Sequence, residues 1–423
     1  MKPEKVVEVV TNHYLSSGDF NGLPIAELRE PSGKEPKGLI TSLRRLVEVG
    51  SIRVLSPEDD VNPHIIGRGF PDVAKQVEGL SRYDPDHSCL YPAPSHLKLV
   101  VKPEDYAGRP FTLELAHGSA QFQYRSFDLA VLERYRNDPR YYYTADDVCG
   151  SISVRDKFYV APDMAERDKV LLQTFGFSYN EQMDRAVAVF LRYLSGLSPE
   201  HQQVWSSQQV GPDFRLHPDY YRSAILGEWG ERVSIHDAFL AEMVLINEMA
   251  CVMGRRPLFR RTYKDDKPRR LSFLIRPTRR EYSEYVHLLD KLLSDNIDPA
   301  FFMQDIEREE DVTRKDGRIE VRHKGTLRLL EEWIRRRYTS REPAVLDKMF
   351  DTLRKVRKKR QPIAHEVEDD VFDQEYIRRQ RELVGAVYDA VRTLRMILES
   401  HPAVRASSIV VPEYLRLGKV WSM

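Results

Sequence analysis

The sequence is poor in cysteine. It has three, Cys89, Cys149 and Cys251, far apart and without a CxxC pair. An odd, scattered set of this kind excludes a disulfide framework and a thiolate zinc site. No window approaches the roughly 20 apolar residues of a membrane-spanning helix, so no membrane association is expected. The first residues, MKPEKVVEVV, have the pattern of neither a signal peptide nor a transit peptide, which points to a reducing cytoplasm. Charge of one sign is also lacking. Lys+Arg and Asp+Glu are both 65, so no global field draws the chain to nucleic acid, and any such contact must be local. There is no GxxxxGK[ST], GxGxxG, HExxH or GxSxG, and no repeat of 20–50 residues. No metal or cofactor is implied.

What is present is material for a folded protein. The 423 residues suffice for two to four domains; 41% are hydrophobic, 10% aromatic and 31% charged. The basic residues are mostly Arg, 46 against 19 Lys. Arg suits forked phosphate contacts, but so general a skew is also what a GC-rich genome gives.

Residues 1–75 read as a winged-helix-like domain. Val6, Val10 and Tyr14 share one helical face, GDFNG breaks it, and Pro36 opens a second helix with Leu39, Leu43, Leu46 and Val47 on its apolar side. Gly50 stops that helix, and SIRVL follows as a strand. The run LITSLRRLVEVGSIRVL resembles the last helix and first wing strand of a winged helix. Arg44 and Arg45 lie off the apolar face, where they could meet phosphate, so DNA is a possible partner here.

Residues 76–275 read as a mixed α/β middle. Strands are expected at Leu97–Val101 and Phe111–Leu115, and around Tyr141–Tyr143 and Ser151–Val160. Helices are expected at Phe127–Arg136, Asp184–Ser195 and Ile235–Val252. Tyr141–Tyr143 could stack on bases, but such aromatics are more often the core and rim of a sheet. Asp146 and Asp147 are adjacent, so on a strand they would face opposite ways and could not share a metal.

Residues 276–423 carry four amphipathic patterns, Tyr282–Leu293, Thr326–Tyr338, Ala344–Val356 and Gln374–Ser400, which together predict a four-helix bundle. The fold class expected for the whole chain is therefore mainly α, with a small mixed α/β middle.

One stretch between the third and fourth patterns stands out, KVRKKRQPIAHE. Seven of the twelve residues from Arg354 to His365 are basic. Arg360 and His365 are separated by four residues. Five Arg–His pairs of similar spacing occur in the chain, among them Arg280–His287, about as many as chance supplies. Only Arg360–His365 sits between two long amphipathic helices, with bases ahead and acids behind. In that context the region resembles the HEPN superfamily, four-helix bundles carrying an Arg, four to six residues and then a His. The family most often has Asn, Asp or His after the Arg; here it is Gln361.

The resemblance implies a metal-independent endoribonuclease acting as a homodimer, in antiviral defence or a toxin system. Arg360 would stabilise the phosphate, His365 would move protons, and Arg357, Lys358, Lys359 and Gln361 would hold the RNA. The structural alternative is a helix end that collects cations at the negative pole of its dipole. The alternative function is a nucleic-acid-binding regulator or dimeric scaffold without catalysis.

Overall fold

The computed structural model describes residues 2–30, 36–228, 230–264, 266–313, 318–340, 342–360 and 369–421. It divides into two compact units, Met1–Tyr143 with Cys149–Glu228, and Thr144–Val148 with Trp229–Met423.

The first unit begins with helix Pro3–Ser16, strand β1 (Leu23–Pro24) and a 3₁₀ turn Ile25–Leu28. Helix Leu39–Glu48, strand β2 (Ile52–Leu55), helix Val73–Gly79 and strand β3 (Cys89–Pro92) follow. The three strands form an antiparallel sheet in the order β1-β3-β2. Its core is the apolar stripe seen in the sequence, Val6, Val10, Leu39, Leu43, Leu46 and Val47, closed by Ile52, Val54 and Leu90. Gly38 takes φ +75° just ahead of the helix, a conformation that favours glycine.

The rest of this unit is built on a six-stranded sheet. Its strands are β4 (Tyr124–Phe127), β5 (Tyr141–Ala145), β6 (Cys149–Val154), β7 (Leu171–Tyr179), β8 (Arg185–Phe190) and β9 (Arg215–Leu216). The order is β4-β8-β7-β6-β5, with β9 also paired to β7. At its centre the Ser126 and Ser178 hydroxyls bond at 2.8 Å. Trp205, from helix Pro199–Ser207, is buried edge-on against Phe127, with ring centroids 5.0 Å apart.

The second unit is mostly helical. Helices Ile235–Val252, Arg279–Leu292, Thr326–Arg337, Pro343–Arg360 and Glu375–Glu399 share one core. Pro343–Arg360 buries Leu346, Met349, Phe350, Leu353 and Val356, which fall on one face at helical spacing. Each such side chain contributes about 1.5–3 kcal/mol by leaving water. Thr278 caps Arg279–Leu292 by accepting from the Glu281 amide, while the Glu281 carboxylate accepts from the amides of Ile275 and Arg276. Two small strand pairs complete the unit: β10 (Val233–Ser234) parallel to β13 (Val420–Trp421), and the hairpin of β11 (Glu309–Thr313) and β12 (Ile319–His323).

The molecule is therefore mixed α/β rather than mainly α, about 48% helix and 15% strand. The sheet was hidden by its own burial. Asp184–Ser195 reads as one helix, yet Arg185–Phe190 is strand β8 and only Leu191–Ser195 is helical. RAVAVF is buried on both faces, so it shows no strand alternation, and Ala186, Val189 and Phe190 fall by accident on a helical spacing. The reverse error occurs at Leu97–Val101 and Phe111–Leu115. Helices Pro94–Val100 and Pro110–Ala116 stand there, each opened by a proline.

Candidate nucleic-acid interface

Helix Pro343–Arg360 ends in four consecutive charged residues other than carboxylates, Arg357, Lys358, Lys359 and Arg360. Cations here face the negative pole of the helix dipole. Lys355, Arg357 and Lys358 are exposed, and make no ion pair among the described residues. Lys359 turns inward instead. Its Nζ donates to the Tyr282 hydroxyl at 3.4 Å and lies 5.7 Å from the centre of that ring.

Arg360 is held from one side. Its Nη1 donates to Asp290 Oδ2 at 2.7 Å and to Asp295 Oδ2 at 2.8 Å. The two carboxylates differ: Asp290 is 1% exposed and Asp295 42%. Asp290 also accepts from the Ser294 hydroxyl. Both carboxylates push the Arg360 guanidinium above its usual range, Asp290 first. The Nε and Nη2 of Arg360 have no partner among the described residues. That edge carries the two parallel N–H bonds with which arginine grips a phosphate.

His287 lies one helical turn before Asp290. Burial, and then the charges of Lys291 and Arg360, hold its imidazole below the usual value. It is thus a neutral imidazole at neutral pH, in the field of Arg360. The carboxylates and His287 were missed as partners of Arg360 in the sequence. One signal was available: Asp290 sits on the buried stripe of its helix, with Tyr282, Tyr285, Val286 and Leu289. A carboxylate in such a place needs a cation.

Gln361 and His365 lie outside the described residues. Arg44 donates through Nη2 to the Ser81 hydroxyl at 2.6 Å, beyond the end of helix Val73–Gly79, while Arg45 is exposed. The two do not form a pair facing one partner.

Elsewhere, Cys89 Sγ lies 3.4 Å from His64 Nδ1, which has the look of a nucleophile and its base. Burial pushes that thiol up to about 12, so it stays protonated and unreactive. Among the described residues, no group of three or more His, Cys, Asp or Glu is placed to hold a metal ion. No described helix is long and apolar enough to cross a membrane.

Compared with known proteins, the chain matches no family model, no curated protein and no solved structure.

Proposed function

We propose that this protein binds RNA through the basic end of helix Pro343–Arg360 and cleaves it without a metal, as a HEPN-type endoribonuclease. The observation that carries the reading is the posture of Arg360. Nη1 is anchored on Asp290 and Asp295, while the Nε–Nη2 edge, without a partner among the described residues, suits a phosphate. Beside it, exposed Arg357 and Lys358 supply further positive charge for the RNA backbone.

The cleavage step rests on the resemblance in sequence. Attack by the RNA 2′-hydroxyl on its own phosphate needs a proton removed, a proton supplied and charge neutralised. Arg360 takes the last role and His365 moves protons. A homodimer brings two such pairs to one cleft. The setting the resemblance suggests is antiviral defence or a toxin system.

A second reading is a nucleic-acid-binding regulator or dimeric scaffold without catalysis. One observation favours it: two carboxylates already neutralise Arg360, which weakens its pull on phosphate. The N-terminal order of helix, strand, turn, helix and two antiparallel strands supports a winged-helix-like contact with DNA in that case. The whole 56–88 stretch, with its own helix, then stands where a wing would be.

One experiment separates the two. Mixed RNA is incubated in EDTA with wild type, Arg360→Ala and His365→Ala. Wild type is expected to leave 2′,3′-cyclic phosphate ends, and both variants to lose cleavage. Salt-sensitive RNA binding without cleavage, lost on changing Arg357 and Lys358, selects the second reading. Neither binding nor cleavage by wild type sinks both.

A further inference from the structure

The first unit holds an aromatic and cationic surface that the site on helix Pro343–Arg360 does not use. The three tyrosines of β5 are not equivalent. Tyr141 and Tyr143 are buried at 0% and 6% exposure, while Tyr142 between them is 47% exposed. Strand alternation sends it to the open side of the sheet. The pairing of β6 and β7 shows what else is on that side. Ile152 faces Leu172 in the core, so their neighbours Ser153 and Leu171, themselves paired, point outward, and Leu171 is 58% exposed.

The open side therefore presents Tyr142, Ser151, Ser153, Arg155, Leu171 and Gln173, without a carboxylate among them. A soluble sheet face that keeps a large ring and a leucine in water calls for a ligand more than scattered exposed residues do.

The rings are also prepared. The Arg155 guanidinium lies 4.6 Å from the centre of Tyr142. Arg155 is itself fixed, its amide donating to Arg140 O at 2.9 Å and its Nε to Tyr141 O at 3.3 Å. Next along the chain, Tyr159 is 56% exposed and carries Lys169 Nζ 5.0 Å from its centre. Lys157 adds a third cation, 4.7 Å from the Phe158 ring. The nearby carboxylates Asp156 and Glu166 stand on short helical turns off the strands, and Glu166, 85% exposed, pairs with Lys169, which is 19% exposed. In the Tyr142 and Tyr159 pairs a cation lies over one face of an exposed ring and holds its orientation. The other face is a flat apolar surface beside positive charge.

We propose that this face binds single-stranded nucleic acid, with bases stacked on Tyr142 and Tyr159 and the backbone held by Arg155, Lys157 and Lys169. Bases have a π-face whatever their sequence, so stacking on fixed tyrosines tolerates any sequence, and the cations follow the phosphates. A duplex hides its base faces and cannot use the rings. A protein ligand would be favoured by a groove with shape, whereas this is an open pleated face edged with cations.

The test uses the full chain and fluorescence anisotropy in low salt, with labelled oligouridine, oligothymidine and a duplex, each about 12 nucleotides long. Joint Tyr142→Ala and Tyr159→Ala substitution is expected to weaken single-strand binding by at least about fivefold per ring, and Phe at both positions to keep it. Both tyrosines are exposed, so the melting temperature should hold and report that the variants fold. Binding of either single strand, lost with the rings, upholds the proposal. Unchanged affinity in the Ala variant, equal loss in the Phe variant, or a wild type that prefers duplex overturns it. So does binding abolished by Arg357→Ser with Lys358→Ser but untouched by the tyrosines.

Discussion

Two arginines of the second unit are each held by two carboxylates, and they differ in how deeply the guanidinium itself is buried. Arg395 is 4% exposed. Its Nε donates to Glu242 Oε2 at 2.8 Å, and Glu242 is wholly buried. Its Nη1 reaches Glu399 one turn along the same helix. Arg360 is 35% exposed, with one buried carboxylate and one in water. A fully desolvated pair has nothing to exchange with, because breaking it strands a charge in the core. A guanidinium that itself reaches solvent, as Arg360 does, can trade one arm for a phosphate. Each arginine has one buried carboxylate, Glu242 or Asp290, and one exposed, Glu399 at 45% or Asp295 at 42%, so the burial of the guanidinium itself marks the difference in role.

The largest effect expected is at the buried pair. Arg395→Ala should cost about 3–5 kcal/mol, read as a fall in the denaturation midpoint at unchanged slope. Burial holds the Glu242 carboxyl above its usual range. An unpaired Glu242 in the variant binds a proton more readily folded than unfolded. The damage should therefore shrink as the pH falls from ~7.5 to ~5. A loss equal to that of an exposed arginine would break the comparison.

Next comes the split at Arg360. Asp290→Ala should cost about 1–3 kcal/mol, since the guanidinium loses its buried partner and the Ser294 hydroxyl keeps only the longer bond to the Asp290 carbonyl oxygen, at 3.3 Å. Asp295→Asn should cost under ~1 kcal/mol, and should raise RNA affinity in low salt roughly two- to fivefold by removing a competitor for Arg360. Equal stability losses, or weaker RNA binding by Asp295→Asn, would erase the distinction between the two arms.

A smaller effect extends the argument to the first unit. His201 is 1% exposed; the Tyr135 hydroxyl lies 2.6 Å from Nδ1, and Asp168 is 3.7 Å from Nε2. Trp205 Nε1 donates to the same hydroxyl at 3.0 Å. Burial, and then Arg134, hold His201 below its ordinary value. A depressed histidine stabilises fully above its unfolded value of about 6.5, and that stability is lost as the pH falls towards the folded value. The fall in melting temperature on acidification should be less steep in His201→Gln than in wild type. The smallest effect is at Arg45, exposed on its helix: Arg45→Ala should change stability by less than about 0.5 kcal/mol.

Four helices of the second unit were legible because each has a wet side, and Ile235–Val252, almost wholly covered, through its length. Ile235–Val252 has the bounds its sequence pattern implies, and the four later helices differ from theirs by a few residues at the ends. β8 was not legible, because a strand covered on both faces loses the alternation that marks it. The site divides in the same way. Charge density drew attention to Arg354–Arg360 along the chain. Asp290 and Asp295, about 70 residues away, meet Arg360 only through packing. Tyr141–Tyr143 reads from sequence as the core and rim of a small sheet, and alternation along β5 makes Tyr142 the exposed one of the three.

The unequal arms of Arg360 give the helix end a mechanical character. Ions screen charges in water over about 8 Å at physiological salt, and reach a buried carboxylate far less. Rising ionic strength therefore loosens the Asp295 arm and leaves the Asp290 arm tight. The guanidinium becomes a swivel, pinned at one point and free to turn about it, and the salt of its surroundings sets how freely it turns.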